Sequence, residues 1–570
     1  MLIKPKYQSG MKIIPFIIIS AIIFIFNIIS IWGYDGLVID DQAYYVRLFG
    51  KSISDLEFKR NIIHSLFTLG IIKVATYSSV YFARFLIIFI LSIPSAFLLY
   101  YFSNSHFQLK KHASIAIAVL PFILPNEVFV PTYLAGSYML LAILFALISI
   151  HFILKFSNRL EFSLTDFVMA AIFYYLATES SELIASMLPV FLFLIFIFRK
   201  LSWKQFLLGS VIIFIAVRKS LLVIQKPHGG INSVSNELPV REILYRILHF
   251  PDFINPLYGL GNTYILNFIV LCVILVAAIL VFRKQERLTG ILDHGNSEEK
   301  PVNRYFYIVY YYLFPMVWII FSTIPFLFFS QHYASRYFTV ASLAVSFLII
   351  TSVFVITGSL TKRKIPFVLL LILVIAISGI SRQINFKKFY KNYIEQFNSL
   401  KQTLKSYDFP EQAQIIVASP PDRTLKIGNG VTFYSKGTLH YILERRDVKG
   451  QILKEACFFD PFQLYNKPYK FRNVDIDTSS ITYLFRDFNP DPVKNRRMHY
   501  ALRWADDKSK DSPWSIFHAD EQGRVTNLVS GTGYDYYESV VDSLSASGIT
   551  RDDILFGGIP SGEDSLRLGL

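Results

Sequence analysis

What most constrains this chain is a succession of about eleven apolar runs, each long enough to cross or nearly cross a bilayer, separated by polar turns. The first covers residues 13–32 and follows Lys4, Lys6 and Lys12. It exceeds the apolar length of a signal peptide and no small-residue cleavage site follows, so it reads as a retained helix. Further runs lie at 80–102, 113–134, 137–156, 166–178, 183–198, 206–223, 264–282, 305–329, 337–356 and 366–380. With 53% hydrophobic residues and only 17% charged ones, the bulk of the chain is expected to face lipid.

Where Lys and Arg fall orients the spans. Alternate turns hold Lys110 and Lys111, Lys155 and Arg159, Arg199 with Lys200 and Lys204, Arg283 with Lys284 and Arg287, and Lys362 with Arg363 and Lys364. Together with the basic N-terminus they mark one side as cytoplasmic. The net charge of +15 is thereby explained by topology, and a nucleic-acid partner is not called for. Only Cys272 and Cys457 are present, which excludes a disulfide framework or a cysteine metal cluster.

An odd number of spans puts the remaining turns and the polar C-terminal tail on the outer side. The expected architecture is a polytopic α-helical membrane protein, residues 1–381 with a first outer loop at 33–79, followed by a soluble α/β domain at 382–570. In that domain, Phe386, Tyr390, Tyr393, Phe397, Leu400 and Leu404 predict an amphipathic helix, residues 414–418 a buried strand, and 514–518 with 524–528 a hairpin.

Every cluster with potential chemistry lies on the outer side. Asp40 and Asp41, directly after the first span, are costly to hold together because each disfavours ionisation of the other. Helix capping accounts for one carboxylate; a pair fits removal of a proton from a nucleophilic hydroxyl, with the second tuning the first. Residues 177–182 place Glu179 and Glu182 in a turn, either as solvated carboxylates that keep two spans apart or as ligands for sugar hydroxyls or a cation. Asn126 and Glu127, between Pro125 and Pro131, mark a kinked helix or a cavity wall.

Arg218 and Lys219 stand near the outer end of a span, against the orientation rule. They read equally as snorkelling side chains or as a phosphate site, and Arg84 has the same two readings. In the stretch 330–338, His332 and Arg336 share one helical face, suited to phosphate oxygens; interfacial anchoring by Arg336 and Tyr337 is the alternative. His64 lies in the first outer loop, in a stretch compatible with a helix on the membrane surface.

Residues 39–44, Ile-Asp-Asp-Gln-Ala-Tyr, resemble the Asp-acidic-x-x-Tyr signature of GT-C glycosyltransferases, a group that includes protein O-mannosyltransferases, aminoarabinose transferases of lipid A and glucosyltransferases of bacterial O-antigens. The resemblance covers the membrane part of the chain. It implies inverting transfer of a sugar from a polyprenyl-phosphate donor to a glycan, lipid or protein acceptor at the periplasmic face of a bacterial inner membrane. Asp40 would be the general base with Asp41 beside it, and Tyr44 would lie in the substrate site. A divalent cation between the acidic loops is left open by the resemblance. His64 departs from the His-Pro of the mannosyltransferases, since Ser65 follows it. Polysaccharide polymerases or ligases and transporters or flippases are the competing classes. A transporter would need its charges near the midplane, and a polymerase or ligase usually lacks an acidic pair after the first span.

Overall fold

The computed structural model describes, in the main, residues 13–31, 62–124, 134–225, 262–283, 312–327, 339–419, 438–454, 480–486, 497–504, 513–549 and 554–556, apart from short stretches at turns. It divides into two compact units; among the described residues the first runs to Lys387 and the second begins at Lys388.

In the first unit the helices are α1 (Ile13–Ile31), α2 (Ile62–Tyr77), α3 (Val80–Ile87), α4 (Ile93–Tyr101), α5 (Lys111–Val119), α6 (Tyr138–Asn158), α7 (Leu164–Ser180), α8 (Leu183–Ser186), α9 (Leu188–Ile197), α10 (Trp203–Gln225), α11 (Thr263–Arg283), α12 (Phe314–Leu327), α13 (Thr339–Leu360) and α14 (Ile365–Lys405). Four helical stretches among the described residues are long and apolar enough to cross a membrane: Val80–His106, Tyr138–Ser157, Trp203–Leu222 and Thr339–Ile356. Six shorter apolar helices accompany them.

The stretch Val80–His106 is continuous but not regular. Ser79 caps it, its hydroxyl accepting from the Phe82 N–H at 3.0 Å, and π-helical turns at Ile88–Ser92 and Phe102–His106 flank α4. Pro94 near the start of α4 has no N–H to donate, and the wider turn falls immediately before it. The run expected at 113–134 ends much earlier as a helix. After α5 a 3₁₀ turn at Leu120–Phe122, carrying Pro121, closes it.

Residues 339–355 of α13 are all buried, Ser342, Ser346, Thr351 and Ser352 included, so the core of this unit gathers around that helix. In contrast, α11 buries only Ala277 and presents Tyr264, Phe268, Leu271 and Leu275 outward, a distribution that suits hydrocarbon rather than water. The α6–α7 hairpin is fastened by Lys155 Nζ to Asp166 Oδ1 at 3.1 Å and by the Ser149 hydroxyl to the Ala170 carbonyl at 2.8 Å.

The change in composition near residue 381 does not end a helix. Helix α14 is one helix of 41 residues, joining the apolar run to the amphipathic segment that the sequence set apart. Hydropathy changes which surroundings a helix tolerates, whereas only a proline or a capping signal stops it, and none intervenes before Lys405. Phe397, Leu400 and Leu404 are buried, as their spacing predicts.

The second unit holds two four-stranded sheets. Strands β1 (Gln414–Ser419), β2 (Lys449–Lys454), β3 (Thr482–Arg486) and β4 (Arg497–Met498) form the first in the order β2-β1-β3-β4, with β1 parallel to both neighbours and β3 antiparallel to β4. The unbroken apolar run Ile415, Ile416 and Val417 is fully buried, as a central parallel strand requires. Between β1 and β2 lies α15 (Thr438–Leu443). Just beyond α15, Arg445 donates to the carbonyls of Phe409 and Pro410 and to both oxygens of Asp447.

Strands β5 (Tyr500–Trp504), β6 (Pro513–Ala519), β7 (Val525–Thr532) and β8 (Ile554–Phe556) form the second sheet, ordered β7-β6-β5-β8. The hairpin expected from the sequence is β6–β7, closed by the Asp520 carboxylate accepting from the N–H groups of Gln522 and Arg524, with Gly523 at φ +85°. Helix α16 (Tyr534–Ala546) covers this sheet through Tyr537 and Val541 against Trp514 and Ile516. A side chain at Gly531 would collide with Tyr536 and Trp514, so glycine is what lets these aromatics close over the strand.

Hydrogen bonding from Arg445 holds the Asp447 carboxyl below its ordinary value. A carboxylate depressed on folding stabilises at neutral pH, and its contribution disappears as pH falls through the folded value, below the usual carboxylate range. Thermal unfolding of the full chain followed against pH should therefore show an acid limb that flattens in Asp447→Asn.

Candidate functional site

Six of the residues singled out in the sequence, Asp40, Asp41, Tyr44, His332, Arg336 and Tyr337, lie outside the described residues, as do Asn126 and Glu127. The other six, His64, Arg84, Glu179, Glu182, Arg218 and Lys219, are described, and several come together at one end of the α6–α7 hairpin.

Helix α7 stops at Ser180 because Ser181 turns to extended backbone, and the Ser181 hydroxyl reaches Met139 Sδ at 3.2 Å, joining the end of α7 to the start of α6. Next to Met139, Tyr138 stacks on the His64 ring with centroids 3.9 Å apart and planes inclined by 15°. The stretch holding His64 is thus not a surface helix free of the bundle: α2 packs against α7 and against the 3₁₀ turn Leu134–Ser137. Arg84, on α3 beside α2, is fully buried, so the snorkelling reading does not apply to it. Glu182 opens α8 at the same turn.

Glu179 closes the group. Its carboxylate accepts from Lys219 Nζ at 3.1 Å on one oxygen and from Arg218 Nη1 at 3.3 Å on the other. Lys219 keeps 5% of its side-chain surface and Glu179 12%, whereas Arg218 keeps 44% and lies 5.5 Å from the Tyr175 ring centroid. Residues 39 and 40 positions apart in sequence are involved, so neither snorkelling nor a bare phosphate site anticipates this pairing. The buried ammonium is committed to Glu179, and the guanidinium, exposed and bearing further N–H donors, is the group placed to meet an anion.

Among the described residues no group of three or more His, Cys, Asp or Glu is placed to hold a metal ion. Sequence reasoning missed Tyr138 and Tyr175, which look like ordinary interfacial aromatics. It also passed over Arg382, treated as the first residue of the tail. The signal there was the same as for Arg218, a basic residue at the outer end of a span.

No protein-family model matches the chain, and no curated protein does. Among solved structures it is similar to two crystal structures of the Archaeoglobus fulgidus oligosaccharyltransferase. One is a complex with Zn and sulfate: 12% identity, TM-score 0.37, covering 70% of this chain and 60% of that one. The other is tethered by a disulfide to an acceptor peptide containing the NVT sequon: 13% identity, TM-score 0.39, covering 82% of this chain and 66% of that one. The chain spans less than two thirds of the length of either.

Removing the shared carboxylate takes an ion-pair partner from a buried ammonium. Glu179→Gln is expected to lower the stability of the detergent-solubilised protein by about 3 kcal/mol, and Arg218→Gln, at the exposed arm, by less than about 1 kcal/mol. Replacing both partners, Glu179→Leu with Lys219→Leu, should recover most of the loss in the same denaturation experiment.

Proposed function

We propose that this chain is a GT-C-type membrane glycosyltransferase that moves a sugar from a polyprenyl-phosphate donor to a glycan, lipid or protein acceptor on the periplasmic side. The observation that carries this reading is the convergence of His64, Glu179, Glu182, Arg218 and Lys219 at one end of the α6–α7 hairpin. By the orientation read from Lys and Arg, that is the side on which Asp40 and Asp41 also leave the first span.

In this reading the Asp40 carboxylate takes the proton of the acceptor hydroxyl as its oxygen attacks the anomeric carbon in line. The bond from that carbon to the phosphate oxygen breaks, and the electron pair leaves with the phosphate. Arg218, with Arg336 and His332, offsets the charge that collects there. Asp41 tunes Asp40, and Tyr44 lines the acceptor side. Eleven spans in a bacterial inner membrane, a cytoplasmic N-terminus and an acceptor-holding C-terminal unit complete the proposal.

Mass spectrometry of surface glycans and lipid-linked sugars from cells with and without the gene tests it. The deletion should accumulate one polyprenyl-phosphate sugar and lose one residue from a glycan, and Asp40→Asn should reproduce both. Transfer should fall in chelator and return with added cation only if a metal takes part. Unchanged glycans with altered export of a solute would replace this reading with transport, and intact transfer by Asp40→Asn would remove Asp40 from the chemistry.

A further inference from the structure

Among the described residues, the four long apolar spans carry five charged side chains: Arg84, Lys155, Lys204, Arg218 and Lys219. Of these Arg218 alone is exposed, the others being buried or half-buried. It belongs to the outward stripe of α10, where Phe214 and Val217 are exposed at the spacing that puts all three on one side of the helix. Helix α7, which packs against α10, turns Val168, Ile172 and Tyr175 outward at the same three-four spacing. The two stripes make an apolar seam, with one cation near the end that the Lys and Arg pattern places outside.

A cation turned toward hydrocarbon is costly to keep unless an anion or water meets it. Snorkelling would carry the guanidinium along α10 toward the headgroups. Instead Nη1 turns sideways to Glu179 Oε1 at 3.3 Å, and the guanidinium stands 5.5 Å from the Tyr175 ring centroid, so the side chain is tied to α7 at the head of the seam. A guanidinium has five N–H donors, and among the described residues Glu179 is its one hydrogen-bond acceptor. Donors remain for a second anion, and the planar fork suits two oxygens of a phosphate. Length supports the same occupant. The helical rise from Val168 to Glu179 is about 16 Å, one leaflet's share of a hydrocarbon core about 30 Å thick.

We infer that the α7–α10 seam is a binding site for one phospholipid of the surrounding bilayer, with its phosphate on Arg218 and an acyl chain along Val168, Ile172 and Phe214. The seam opens on the side of the helices that meets lipid, where such molecules are always at hand and a free anion from water is not. The site does not depend on the transfer reaction proposed above, in which the phosphate of a different lipid comes to the same side chain and has to exchange with this one.

Native mass spectrometry of the purified full-length protein in maltoside micelles tests it, with phosphatidylglycerol as the probe and the diacylglycerol of the same chains as a control that lacks the phosphate. The wild type should keep one phosphatidylglycerol and no diacylglycerol. Arg218→Gln should weaken retention about tenfold, as loss of one charge-assisted hydrogen bond does. Arg218→Lys, which keeps the charge without the fork, should fall between. Equal retention by the wild type and Arg218→Gln, or diacylglycerol held as well as phosphatidylglycerol, would overturn the inference. Displacement of the lipid by millimolar inorganic phosphate would overturn it too, by assigning Arg218 to a free anion.

A second measurement is made in solution. A ligand that binds only the folded protein raises its unfolding temperature with concentration. In micelles free of other phospholipid, the Tm of the wild type should therefore climb as phosphatidylglycerol is added and stay level with diacylglycerol, whereas Arg218→Gln should respond to neither. A Tm that climbs equally in the wild type and Arg218→Gln removes Arg218 from the site and overturns the assignment. Neither readout involves transfer, so loss of the proposed reaction in Asp40→Asn leaves both results standing.

Discussion

A charge carried into an apolar bundle must find its partner there, because neither lipid nor packed side chains can solvate it. This requirement organises the first unit. Lys219 and Arg218 share Glu179, Lys155 meets Asp166, and Arg382 is held by Asn27 and the Phe122 carbonyl. In each case the partner comes from a different helix, so each polar contact fixes a helix pair that dispersion alone would let slide. Around them the bundle is filled by aromatic and aliphatic contacts such as Phe107 between Phe314 and Phe347 and Tyr174 edge-on to Phe191. Packing supplies cohesion in the unit, and the ionic contacts supply register.

The same requirement explains what could be read from the sequence. Runs such as 137–156 and 337–356 announce helices because a stretch that long and apolar has few other folds open to it, and α6 and α13 stand close to those bounds. Boundaries were less legible wherever local stereochemistry overrode hydropathy. Pro121 and the 3₁₀ turn end α5 inside an apolar run, and α14 continues through a change of composition that contains no stop signal. The pairing of Glu179 with Arg218 and Lys219 was out of reach for a different reason. All three residues were singled out, yet which cation meets which carboxylate is decided by how α7 and α10 pack, and nothing local to either segment encodes it.

In the second unit the legible parts were those with a local signature. The run Gln-Ile-Ile-Val-Ala of β1 and the Asp520–Gly523 turn of the β6–β7 hairpin carry their geometry in a few adjacent residues. The parallel neighbours β2 and β3 do not. Their pairing with β1 joins segments 35 and 68 positions away in register, Gln414 with Lys449 and with Thr482, and strands this short have no pattern that separates them from loop. Helix α16 was also passed over, although Tyr537 and Val541 at a four-residue spacing are the apolar face that covers Trp514.

The two π-helical turns in Val80–His106 change how that span must be compared with any other. Each holds more residues than an ordinary turn, so the positions before Ile88 and after Phe102 are rotated out of the phase that a 3.6-residue period assigns them. A helical wheel drawn through the whole stretch puts Arg84 and His106 on wrong faces relative to each other. Deleting one residue from either turn and restoring a regular helix there would leave the faces on both sides as they are, because each wider turn takes up about one extra residue over the same rotation. Length variation at this place is therefore absorbed locally, and an alignment that treats the span as gap-free against a regular helix would pair side chains that point in different directions.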